Sequence, residues 1–329
     1  IQSPERLRLL LVLSVADVRA VGPNVWNAWK AGLLRDLYYR TLEVLTGGAP
    51  AEQRASRVAR AKERLRDSLS GWTEPEIEAH LARGYDNYWL TFPADSHIHH
   101  AELIRQAETK GLNLHIETRV LADSAVTELV IYTADDPGLF SRIAGAIALA
   151  GAPIVDAKIM TMSNGMALDT FWIQDVQGGA FESPERLKKL HNRIEEALSG
   201  QINIAQELEL LRDHAPPKRT RVFKVPPHVL VDNKLSRTHT VIELNGRNRV
   251  GLLHDVTAAI TALGLQIASA HISTYGVRVV DVFYVKDIFG LKVENKEKHE
   301  AIRKSLLAVL SPPLTSVGGE TEQNAAAAE

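Results

Sequence analysis

Few residues in this 329-residue chain have types and spacings suited to chemistry. Asp17 sits in the apolar run LRLLLVLSVADV (7–18), and a carboxylate on such a helix face is costly to bury unless a cation or a metal ion pairs with it. Both partners remain open. His254-Asp255 has metal-ligand residue types but falls in the first turns of a predicted helix, without a second such pair ahead of it. The cluster His97-Ile98-His99-His100 lacks an accompanying carboxylate motif, so it reads as the solvated start of a helix capped by Asp95 or Ser96 rather than as a metal site. A different logic joins Asp135-Asp136-Pro137-Gly138-Leu139 to Asn248-Arg249-Val250-Gly251-Leu252. Each sets an acidic or amide residue ahead of Gly-Leu, where a predicted strand turns into a predicted helix. The glycine lets backbone approach a ligand closely, and the helix start offers N–H groups and a positive dipole end to a carboxylate. Asp135 and Asn248 either bind an ammonium or amide or cap the helix. Such a turn suits a free amino acid.

Helices come first in the elements that must position these groups. From 3 to about 110, apolar residues recur at spacings of three and four, which predicts helices over 4–20, 25–46, 51–70, 75–84 and 96–110. Ser3-Pro4-Glu5 is a helix start, and VGPN (21–24), TGGAP (46–50) and TEP (73–75) are breaks. After Gly111 strand-type alternation takes over, at 114–121 and 127–133, followed by a helix past Pro137, a strand at 153–162, another at 166–176 and a helix over about 183–199. Ser163-Asn164-Gly165 is a hairpin turn. The order β-α-β-β-α is the core of a ferredoxin-like unit, which needs one further strand.

A helix at 202–213 and the linker DHAPPKRTR (213–221) lead into strand 237–244, helix 251–263, strands 265–275 and 277–287, and helix 295–310. This is the first unit again. Gly138 aligns with Gly251 at an offset of 113, as do Ala146 with Ala259, Gly151 with Gly264, Ile154 with Ile267, Ile159 with Ile272 and Thr161 with Thr274; after one deletion in a turn, Asp169, Phe171 and Asp175 align with Asp281, Phe283 and Asp287. A single gap in a turn is what a duplicated domain should show. The tail 315–329 has almost no large apolar residue and is predicted to be disordered.

Composition excludes several classes. Hydrophobic residues make up 45% of the chain and charged residues 24%, with a formal net charge of −2, ordinary for a soluble globular protein and unlike a nucleic-acid binder. The absence of cysteine rules out disulfides, thiolate nucleophiles and cysteine zinc sites, and fits a cytoplasmic protein. The run 7–18 is too short to span a membrane and is interrupted by Asp17; a signal peptide is the weaker reading. The length predicts two or three domains, and a chain opening on Ile1 reads as a piece of something longer.

Units that open with DDPGL (135–139) and NRVGL (248–252) resemble ACT domains, the amino-acid-sensing modules of metabolic enzymes. The stretch LLLVLSVADVRAVGPNVWNAWKAGLLRDLYYRT (9–41) looks like the closing helices of an HD domain. In this order the modules are similar to the C-terminal part of the bacterial PII uridylyltransferase/uridylyl-removing family. The resemblance implies an α+β chain, with an all-α N-terminal third followed by two ferredoxin-like βαββαβ ACT domains. It assigns 1–110 to HD helices and connector, 111–212 to the first ACT domain, 213–236 to linker and lead-in strands, 237–314 to the second ACT domain and 315–329 to a tail.

It further implies that Asp17 is the last ligand of an HD site, where divalent metal, magnesium or manganese, activates water against a phosphodiester. The other ligands and the Gly-Ser loop of a UTP site are absent from this chain, and Asp135-Asp136 belong to the ACT turn, so the chain alone is expected to be inactive. The ACT pair is expected to bind no metal and to sense glutamine through Asp135, Asp136, Gly138 and Leu139, through Asn248, Arg249, Gly251 and Leu252, or through both sets. Asp156, Lys158, Ser269 and His271, on the strands that follow, are expected to face the same pocket. The implied protein partner is PII, with neither nucleic acid nor membrane involved. The rival reading is an ACT-repeat regulatory module of another metabolic or alarmone enzyme, though alarmone enzymes place other domains between HD and a single ACT.

Overall fold

The computed structural model describes residues 3–20, 31, 34, 37, 38, 41, 50–213, 226–275 and 278–311. The expected helix 25–46 lies largely outside these residues, as do most of the linker after Asp213 and the whole tail 315–329. The described part of the N-terminal third is helical: α1 (Pro4–Ala20), α2 (Pro50–Ser68), α3 (Glu74–Arg83), α4 (Asp86–Thr91) and α5 (Ala94–Thr109). Local chemistry sets these starts. Ahead of α3, the Glu76 carboxylate accepts both the Thr73 N–H and its hydroxyl at 2.7 Å, closing the first turn, while Pro75 gives up no needed donor.

Past Gly111 the chain forms β1 (Leu114–Leu121), β2 (Val126–Ala134), α6 (Leu139–Leu149), β3 (Ile154–Lys158), β4 (Met166–Ile173), α7 (Pro184–Leu198) and α8 (Ile204–Asp213). The second run is β5 (His228–Asp232), β6 (Thr240–Arg247), α9 (Leu252–Ala262), β7 (Leu265–Tyr275), β8 (Arg278–Asp287) and α10 (Lys296–Leu310). All eight strands join one antiparallel sheet in the order β1-β2-β4-β3-β7-β8-β6-β5. Each half is a ferredoxin-like unit, as expected, with one difference in connectivity. The further strand precedes its unit, since β1 pairs with β2 (Leu114↔Thr133) and β5 with β6 (Val229↔Leu244). The order is therefore ββαββα rather than βαββαβ. The edge beside β2 can be filled from either direction along the chain, and the short turn through Ala122–Ser124 fills it locally, without a return across the sheet.

The halves meet where β3 pairs with β7, through Asp156↔His271, Ala157↔Ala270 and Lys158↔Ser269. Residue 270 is the repeat equivalent of residue 157, so the pairing is centred on an approximate two-fold axis. On one side of the sheet α6 to α10 bury a single core that includes Ile143, Phe171, Ile260 and Phe283. On the other side, α2 to α5 pack Leu103, Ile104 and Tyr88 against Val130, Leu168 and Trp172 of the first half. Among the described residues, no helix is long and apolar enough to cross a membrane.

Candidate functional site

The two Gly-Leu turns adopt the same local form. Gly138 (φ 83) and Gly251 (φ 70) occupy the cap positions of α6 and α9 in left-handed backbone, which a side chain with Cβ resists. Asp135 and Asn248, three residues earlier, therefore do not cap. Asp135 instead accepts the Thr161 hydroxyl at 2.6 Å, and Asp136 pairs with Arg142.

Beside the first turn a cavity of about 600 Å³ opens. Asp135, Asp136, Gly138 and Leu139 line it from the turn, Ile159 and Thr161 from the segment after β3, Asp169 from β4, and Gln266, Ile267 and Ala268 from β7 across the two-fold axis. Lys286 adds a cation. It is concave and mixed, with an acidic cluster, the Lys286 amine, the Arg54 guanidinium and apolar walls, and its size fits a small molecule. Asp169 is 1% exposed and neither of its carboxylate oxygens has a hydrogen bond of acceptable geometry. Burial lifts its carboxyl well above the usual carboxylate range, and the neighbouring Asp135 adds to that; the Met160 amide opposes them. Sequence reading paired Asp169 with Asp281 in the repeat but attached no role to it, because an alternating strand does not reveal which of its polar residues faces inward.

The second turn is closed. Helix α8 lies over it, with Arg212 Nε donating to the Val250 carbonyl at 2.9 Å and Arg212 Nη2 to Asp255 Oδ2 at 2.8 Å. A Cβ on Gly251 would stand 2.6 Å from Arg212 Nη2 and 2.8 Å from Leu208 Cδ1, whereas on Gly138 the nearest atoms would be 3.7 and 3.9 Å away. Arg249 is also committed, to Asp255 and to the Val309 carbonyl. Asn248 is half-buried, and Leu252 is buried in the core. His254-Asp255 is thus part of the packing: His254 Nδ1 lies 2.8 Å from the carbonyl oxygen of Ser141, its own repeat equivalent, and Asp255 anchors two arginines.

Two expectations need correction. Asp156, Lys158, Ser269 and His271 do not face the Asp135 cavity. Strand side chains alternate between faces, and Ala157 and Ala270 take the helical side, so these four line a separate cleft of about 1060 Å³ on the opposite face of the sheet, with Trp172, Tyr284 and Arg57. There the buried Asp156 Oδ1 sits 3.0 Å from His271 Nδ1 and 3.4 Å from Lys158 Nζ. The histidine cluster is not a solvated helix start either. Helix α5 begins at Ala94, after Pro93, and its packing against the sheet buries His97 and His100. His100 lies 3.3 Å from the Tyr88 hydroxyl and 3.4 Å from Thr170 Oγ1, and burial pushes both histidines below the usual imidazole pKa.

Asp17 is exposed on α1. Among the described residues no group of three or more His, Asp or Glu is placed to hold a metal ion.

Residues 235–311 match the family described as "ACR family N-terminal ACT domain". This shows an ACT domain in the second unit, whose fold the first unit repeats. Over 318 residues, 96% of its length, the chain is 51% identical to the "Bifunctional uridylyltransferase/uridylyl-removing enzyme" of Gluconobacter oxydans. It is 55% identical over 315 residues to the enzyme of that name from Azospirillum brasilense, and 48% over 313 residues to the one from Rhodospirillum rubrum. The likeness to this enzyme family, read first from the sequence, thus runs along nearly the whole chain, which spans about a third of the relatives' length (33–34%).

Proposed function

We propose that this chain is the regulatory end of a bifunctional enzyme that attaches uridylyl groups to PII protein and removes them, and that its first ACT repeat senses glutamine. The observation that carries the assignment to one copy is the asymmetry of the two turns: the cavity at Asp135–Gly138 is open, and α8 fills its counterpart. Glutamine brings an ammonium, a carboxylate and a neutral amide. The acidic cluster suits the first of these, and Lys286 with the start of α6 suits the second. Glutamine would favour one arrangement of the repeat relative to the catalytic domains, with a coupling of about 1–3 kcal/mol that suppresses uridylylation and promotes removal. In this reading the N-terminal helices end an HD domain, Asp17 joins ligands elsewhere in the enzyme to hold divalent metal, UTP is used by a domain outside this chain, and the whole acts in the cytoplasm.

Calorimetric titration of the chain with glutamine, using glutamate and asparagine as controls, tests the sensor. The expected result is saturable, glutamine-selective heat with one site per chain. Two equal sites would refute the assignment to the first copy, and selective binding of another amino acid would refute glutamine.

A further inference from the structure

We infer that Asp169 is the specificity-determining group for the ligand's primary ammonium, an inference that rests on the amino-acid-sensing reading above. The side chain is almost wholly buried, on the helical side of β4, in the wall of the first-repeat cavity, and neither oxygen is in a well-formed hydrogen bond, the Met160 amide being the nearby protein donor. Buried polar groups are nearly always satisfied, so a carboxyl left without a well-formed bond beside a cavity marks a place completed by something else. A cationic donor completes it as a carboxylate, the form that an adjacent positive charge restores. Among the described residues the charged group that acts on it is Asp135, whose like charge repels. A primary ammonium between the two removes that repulsion and supplies three donors, for Asp169, Asp135 and an acceptor of the turn.

The second repeat supports this by contrast. Asp281 stands at the position of Asp169, but Asn248 replaces Asp135 and Arg249 replaces Asp136, and the guanidinium of Arg212 already lies against the turn. The second repeat is supplied with a cation from its own chain. In the first, Arg142 is taken up by Asp136, and among the described residues no cation acts on Asp169 itself.

The test compares L-glutamine with glutaramate, which is glutamine lacking its α-ammonium, by calorimetry on the unchanged chain and on Asp169→Asn. The unchanged chain is expected to prefer glutamine by about 100-fold, the scale of losing one partner from a buried charged contact. In Asp169→Asn, nearly the same shape, glutamine should weaken by about that factor while glutaramate does not, so the preference collapses. Asp135→Asn should give a smaller loss in the same direction, and it serves as the second probe should Asp169→Asn unfold. Equal weakening of both ligands would mean a merely structural role and would overturn the inference, as would a retained preference in Asp169→Asn. Either of those leaves the sensing reading standing, whereas failure of the unchanged, folded chain to bind glutamine overturns both.

Discussion

Replacing Gly138 and Gly251 by alanine, one at a time, measures how differently the two repeats are used. Both substitutions force a Cβ into left-handed backbone, at about 1–2 kcal/mol. At Gly138 little else should change, because the added carbon meets Ser141 Oγ at 3.7 Å and Thr261 Cγ2 at 3.9 Å, ordinary contacts. At Gly251 the same carbon runs into Arg212 and Leu208 at 2.6 and 2.8 Å. Arg212 can swing away only by giving up its bonds to Val250 and Asp255, and Leu208 only by moving α8. Overpacking of that kind adds about 1–3 kcal/mol, for a total of about 2–5 kcal/mol. Urea unfolding of the two variants gives the difference, and hydrogen exchange locates it, since α8 amides should lose protection in Gly251→Ala and keep it in Gly138→Ala. Equal destabilisation by both variants, with α8 equally protected, would refute the argument that α8 is seated on the second turn.

His80 is buried, both of its ring nitrogens lack hydrogen-bond partners, and its pKa is lowered from 6.5 to about 4, mainly by burial, with Arg83 and His97 adding to it. Between those values the unfolded chain holds a proton there that the folded chain does not, so stability falls as pH drops from 6.5 towards 4, by roughly 3 kcal/mol from this residue. His80→Phe should flatten the dependence of unfolding free energy on pH across that interval; an unchanged slope would refute the account. Asp156→Ala leaves Lys158 and His271 without their shared carboxylate where the halves join, and it should cost about 2–4 kcal/mol, towards the lower end because His271 is 45% exposed. Faster hydrogen exchange in β3 and β7 should accompany it, and unaltered exchange there would mean that the cluster does not hold the join.

Much of the fold was legible because duplication writes the same physics twice. The Gly-Leu turns, the matched helices and the constant offset needed no tertiary information, and Asn164-Gly165 marked its hairpin correctly, with the Met162 amide bonded to the Met166 carbonyl at 2.8 Å. What escaped depends on neighbours distant in sequence. The period of a strand shows that Asp156 and Lys158 share a face with each other, but not which face meets the helices. Nothing in the composition of α8 announces that Leu208 and Arg212 will rest on a turn some forty residues downstream. Polarity suggested that the histidines at 97 and 100 would be wet, whereas the second layer of helices over the first half of the sheet makes their positions interior. Asp169 was hidden for the reverse reason: a buried aspartate looks like any other letter in an alternating strand until it is seen to have no well-formed hydrogen bond.

The pairing of β3 with β7 has a consequence for how such a duplicated unit can evolve and operate. Two identical subunits meeting across a symmetry axis must present two identical pockets, and their meeting depends on dilution. Here both partners belong to one chain, so the encounter is unimolecular and the assembled pair is indifferent to how much protein a cell contains. Freed from strict symmetry, one copy can keep its pocket for a metabolite while the other gives up its own to an internal arginine. The response then need not carry the cooperativity of two equivalent sites, and its threshold can be set by a single affinity.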